Sequence, residues 1–213
     1  MITVFLISPA RCGGRRAELL ARSRTSELGQ QLQDGGARLG DVFAWLSALY
    51  FRGKLTYARR FGVSSGGLAG ALVMTPGAGL RDADMRITAA DLRAMGKVDI
   101  ESNAFVRPLR CDAAMVNALC GADARVVLLG SIATGKYIDT LLQVFGTRLV
   151  FPASFVGRGD MSRGGLLLRA ARSGEELGYV PIYNAVLHGP RPPKLPKERR
   201  RTLAGPEGPP RTR

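Results

Sequence analysis

The chain has 213 residues and a mass of 22.8 kDa, enough for one ordinary domain with or without a tail. Apolar residues at 46% and charged residues at 23% are globular proportions and exclude a wholly disordered or fibrous chain. Thirty-one Lys and Arg against 17 Asp and Glu give a net charge of +14. Folding does not need that excess, because like charges oppose compaction, so it points to a polyanionic partner: nucleic acid first, an anionic membrane surface second.

The excess is not confined to one end. Residues 189–213 carry eight Lys/Arg and two acids, and residues 1–188 carry 23 and 15. The last stretch, GPRPPKLPKERRRTLAGPEGPPRTR, has almost no large apolar residue and cannot bury a core. It is expected to be a flexible basic arm that either holds phosphates or only aids solubility. Residues 1–188 are expected to form a single domain. Three cysteines without CxxC spacing argue against a disulfide framework and for a cytoplasmic chain. With His188 the only histidine, no standard metal site is expected, nor any cofactor. No apolar run approaches the ~20 residues a membrane span needs.

In chain order, TVFLIS at residues 3–8 is a continuous apolar run ending in a turn and reads as a first buried strand. Residues 15–33 have helical spacing (Ala17, Leu20, Leu28, Leu32) and stop at Asp34-Gly35-Gly36. Residues 42–61 make a second helical pattern, interrupted at Gly53; Phe43 and Trp45 are expected in the core. Residues 71–74 form a second strand ending at Thr75-Pro76-Gly77. Residues 82–103 are polar and irregular, with a short helix that Thr88 could cap. A helix over 112–119, a strand over 125–129, a helix over 137–145 and a strand over 148–151 follow. Residues 157–165 read as a Gly/Arg loop, with a final strand pair at 166–169 and 179–182.

Continuous apolar strands separated by helices predict a three-layer α/β/α domain around a mostly parallel sheet. In such sheets ligands bind beyond the carboxyl ends of the strands. Four strand ends therefore define the expected cleft: Ser8-Pro9-Ala10-Arg11, Thr75-Pro76-Gly77, Gly130-Ser131, and residues 155–165.

Several motifs carry competing readings. Gly130 to Lys136 resembles a phosphate-binding loop, but Tyr137 stands where such loops need Ser or Thr for magnesium. A plain turn, or an amide nest with Lys136 on a phosphate, fits better. The stretch FVGRGDMSRGG packs Arg158, Asp160, Ser162 and Arg163 among four glycines, which permit close approach to a ligand, while arginine forks suit phosphate. Its alternative is a solvated turn. Tyr50-Phe51-Arg52-Gly53-Lys54 offers either a core Phe51 or a stacking platform beside phosphate-holding Arg52 and Lys54. Cys12 has no histidine near it in sequence to form a nucleophilic pair.

The order of these motifs resembles the uracil-DNA glycosylase superfamily over about residues 2–170. The matching pieces are the Pro-containing loop after the first strand, the Phe51-Arg52-Gly53 segment, Val73-Met74-Thr75-Pro76, Val126-Val127-Leu128-Leu129-Gly130, and a last loop from Pro152 to Gly164. The resemblance implies an enzyme that excises uracil or a related damaged base from DNA; the alternatives are a non-catalytic nucleic-acid or nucleotide-binding module on the same fold and an enzyme on free nucleosides or nucleotides, and a monomer is expected. Phe51, Thr75, Ser131 and Arg11 would meet the base, and Arg52, Lys54, Lys136 and Ser162 the phosphates. The family's acid after the first strand and its last-loop histidine are missing; Ser8 stands in the first place. Asp160 would then be the substitute acid and Arg158 or Arg163 the electrostatic stabiliser. A pairing role for Asp160 with those arginines is the alternative.

Overall fold

The computed structural model describes residues 2–64, 67–132, 135, 137–183, 185 and 189–196. Lys136, His188 and the arm from residue 197 onward lie outside the described residues. Six strands form one sheet: β1 (Thr3–Ile7), β3 (Ala71–Thr75), β4 (Gly79–Asp82), β6 (Arg125–Leu129), β7 (Leu149–Pro152) and β8 (Tyr179–Pro181), in the order β4-β3-β1-β6-β7-β8. The inner four are parallel, with β1 between β3 and β6, and the two edge strands are antiparallel. Two short strands, β2 (Ala37–Arg38) and β5 (Arg86–Ile87), pair separately. Every residue of β1 and four of the five in β6 are buried, so both faces of the central strands are covered, as the apolar runs TVFLI and RVVLL require.

The helices are α1 (Arg15–Arg22), α2 (Glu27–Asp34), α3 (Leu39–Phe61), α4 (Ala89–Gly96), α5 (Asn103–Cys120), α6 (Ile138–Phe145) and α7 (Asp160–Ser173). About half of the chain is helical. Among the described residues no helix is long and apolar enough to cross a membrane.

The expected helix over 15–33 is two, because Ser23 and Ser26 divert the backbone; the Ser26 hydroxyl accepts the Gly29 amide at 3.2 Å and starts α2. The break in α3 falls at Ala48 (φ 48°, ψ −126°), not at Gly53. Just before the kink the Arg16 guanidinium donates to the Trp45 carbonyl at 2.7 Å. Gly53 has another task. A Cβ on it would lie 2.6 Å from the Gly164 carbonyl oxygen, so the pair Gly53 and Gly164 lets α3 and α7 touch backbone to backbone.

The turn at Thr75 leads straight into β4, so the segment expected to begin irregularly at residue 82 is preceded by a hairpin. Thr88 caps α4 as expected, in a reciprocal box with Asp91. Helix α5 is twice the expected length and contains Pro108, whose place in a helix interior sequence rules discourage. The largest correction is at residues 157–169. They are not a loop followed by a strand: α7 begins at Asp160 and runs through Gly164-Gly165, and β8 pairs with β7 alone. Of the glycines there, Gly164 makes the close contact with α3. Residues 189–196 run beside α7, where Arg158 Nη1 donates to the Pro193 carbonyl at 3.2 Å and Arg169 to that of Pro196.

Candidate active-site cleft

A cleft of about 500 Å³ opens at the carboxyl ends of β1 and β6. It is lined by Ser8, Pro9 and Arg11 after β1, Ser47, Tyr50 and Lys54 from α3, Ser131 and Tyr137 after β6, and Asp160 and Met161 at the start of α7, with Ile100 closing one side. Beyond the ridge made by Pro9, Arg11 and Ile100 lies a second space of about 640 Å³, which Pro76 after β3 also lines. Three of the four expected strand ends meet in the cleft itself, and the fourth borders the adjoining space.

The floor is built on Lys54. Its side chain is 2% exposed, and its Nζ donates to both the carbonyl oxygen and the Oγ of Ser8, each at 2.8 Å. The ammonium also stands 4.6 Å from the Tyr50 ring centre and 5.1 Å from that of Phe51. No carboxylate forms an ion pair with it among the described residues. Burial therefore dominates and lowers its pKa to about 7, against a weaker opposing pull from Asp160. At neutral pH a large share of Lys54 is an uncharged amine.

Tyr137 stands immediately before α6, and its hydroxyl donates to the Ser131 carbonyl at 3.2 Å. Burial raises its pKa, while a hydrogen bond to Ser8 works the other way. The packing is close: a Cβ on Gly130 would lie 2.8 Å from the Tyr137 hydroxyl and 2.9 Å from the Ser8 Cβ. The Tyr50 hydroxyl is buried without a hydrogen bond of good geometry, and burial pushes its pKa well up despite the nearby Arg163.

The expected site residues divide into three groups. Ser8, Arg11, Lys54, Ser131 and Asp160 come together in the cleft. Asp160 stays at the mouth, its side chain 68% exposed and 3.7 Å from Arg163 Nη1. A second group holds the scaffold. Arg163 Nε and Nη2 donate to the Phe155 carbonyl at 3.2 and 3.1 Å, and Arg158 donates to the Ser154 carbonyl at 3.0 Å and the Ser162 hydroxyl at 3.2 Å. These arginines, and Ser162 with them, tie the turn before α7 to its first turn rather than lining the cleft.

The third group lies elsewhere. Phe51 is fully buried, edge-on to Phe43 at 5.4 Å, and belongs to the core. Thr75 is buried with its hydroxyl on the Val73 carbonyl at 3.1 Å. Arg52 is exposed on α3 away from the cleft wall, and Lys136 lies outside the described residues. Lys54 itself is corrected from a phosphate contact on the surface to a buried amine, because it shares the inward stripe of Tyr50, Phe51, Tyr57 and Ala58.

Sequence reasoning passed over Tyr137, set aside as a failed magnesium ligand, and Tyr50, read only as a neighbour of Phe51. Cys12, considered as a nucleophile, is buried with its thiol on the Ala10 carbonyl, and burial pushes its pKa up to about 12. It lines the adjoining space and not the cleft. Comparison with family models, curated proteins and solved structures found no match for this chain.

Proposed function

We propose that the protein is a DNA glycosylase on a uracil-DNA glycosylase-like fold, hydrolysing the N-glycosidic bond of uracil or a related damaged base. The observation that carries this reading is the cleft at the strand ends. Its size suits one nucleotide and not a duplex, as extrusion of a base from the stack requires. Glycosidic cleavage builds positive charge on the sugar and negative charge on the departing base. Asp160 at the mouth suits the first and Arg11 the second. The ring that reaches the cleft is Tyr50, which takes the stacking role that Phe51, buried in the core, does not fill. The +14 charge supports a nucleic-acid partner.

A second reading, an enzyme or binding module for free nucleosides or nucleotides, gains from one observation: Phe51 and Thr75 are both withdrawn from the cleft. One experiment separates the two. The protein is incubated with single- and double-stranded oligonucleotides carrying one uracil, with deoxyuridine and with its 5′-monophosphate. Strands are then cleaved with alkali at abasic sites, and released base is measured. Scission at the uracil supports glycosylase action on DNA; base released only from the free compounds supports the second reading.

A further inference from the structure

At the floor of the cleft a serine hydroxyl and an amine are in direct contact. Lys54 Nζ sits 2.8 Å from Ser8 Oγ and is fixed by its second bond, to the Ser8 carbonyl, and by the Tyr50 ring beneath it. Ser8 follows directly on β1 and is buried, 8% exposed, with its side chain lining the cleft. A serine hydroxyl is a weak nucleophile until an adjacent base takes its proton, and an amine held in a desolvated pocket is such a base. The groups facing Lys54 are Ser8 just after β1, Tyr50 and Phe51 from its own helix and, at longer range, Asp160 of α7, while Tyr137 before α6 hydrogen-bonds to Ser8. None pairs with it as an ion.

We propose that Ser8 is a nucleophile and Lys54 its general base, so that the protein reacts through a covalent bond to Ser8 Oγ. This deepens, and for its substrate rests on, the excision reading. In the first step the Ser8 Oγ–C1′ bond forms as the bond from C1′ to the base nitrogen breaks. The base leaves with the electron pair and takes a proton from solvent, while the serine proton passes to the Lys54 amine. In the second step water attacks C1′ and loses a proton to solvent. Ser8 Oγ leaves with the electron pair and recovers its proton from the Lys54 ammonium. Two displacements retain the configuration at C1′.

The test uses the full chain and an alkyl fluorophosphonate, an electrophile that reports an activated serine without any nucleic acid. Intact-mass and peptide analysis are expected to find one adduct, on Ser8. Its formation should accelerate about tenfold between pH 6 and pH 8 as Lys54 loses its proton, and level off above that. Ser8→Ala should give no adduct. Lys54→Met should slow it at least a hundredfold while still melting cooperatively. If Lys54→Met does not fold, the pH profile of the wild-type chain decides the same point. An absent adduct, an adduct elsewhere, or a rate indifferent to pH 6–8 would overturn the proposal. An adduct on Ser8 with no base released from any uracil-containing substrate would support the nucleophile and overturn the excision reading, so the two fail separately.

Discussion

Replacing Lys54 with Met should stabilise the protein at neutral pH. Lys54 is 2% exposed and burial lowers its pKa from 10.5 to about 7. The unfolded chain therefore binds a proton that much of the folded population has given up. A folded pKa below the unfolded one means that stability rises with pH between about 7 and 10.5, and the protonation cost is largest at and below pH 7. At 1.36 kcal/mol per unit, the interval amounts to roughly 5 kcal/mol, lessened by the two hydrogen bonds to Ser8 that the substitution removes. Met keeps the length and apolar stem. Urea melts of the two proteins at pH 7.0 and 9.5 measure it. The wild type should gain on Lys54→Met by about 2–3 kcal/mol over that range, with other titrating groups cancelling in the difference. Parallel pH profiles would refute the assignment of Lys54 as a buried, largely uncharged amine.

Ala48→Gly should stabilise by about 1 kcal/mol in the same melts, since φ 48° with ψ −126° strains an L-residue by about 1–3 kcal/mol and glycine's extra chain entropy offsets only part of that relief. Phe51→Ala should lower stability by about 3–5 kcal/mol, the cost of emptying a fully buried aromatic site, whatever base is offered as substrate. A selective loss of base recognition with stability intact would return Phe51 to the platform role. Removing residues 197–213, which carry six Lys/Arg and two acids, should flatten the dependence of DNA affinity on salt; an unchanged slope means that the arm does not touch phosphate.

The sheet was legible because its inner strands are near-continuous apolar runs, a pattern that survives only where both faces are buried. The cleft's location followed from that. What sequence missed has local causes. Gly164-Gly165 carries the composition of a loop, yet α7 runs through it because the contact with Leu49 and Tyr50 of α3 admits no side chain at Gly164. Pro108 sits inside α5 because packing of Phe105, Leu109 and Ala113 outweighs a lost backbone bond. The kink at Ala48 left no mark, since alanine favours helices and only the tertiary contact with Arg16 shows where the backbone turns. Lys54 was misread from its charge, although its spacing from Tyr50 and Tyr57 already put it on the buried stripe. Arg158 and Arg163 looked like ligand-holding forks, but their partners are carbonyls of the turn before α7, a pairing that no spacing rule anticipates.

The central claim is that this cleft excises a base, and single-turnover kinetics on an end-labelled oligonucleotide with one uracil test it most directly. Wild type, Ser8→Ala and Asp160→Asn are compared at pH 7.5, each first shown to be folded. Asp160 is largely exposed, so its substitution should leave the melting temperature within a degree or two while slowing excision on the order of 10²-fold, with DNA binding retained. Ser8→Ala should slow excision at least as much. Excision by both variants within a few-fold of wild type, or none by the wild-type chain, would contradict the account.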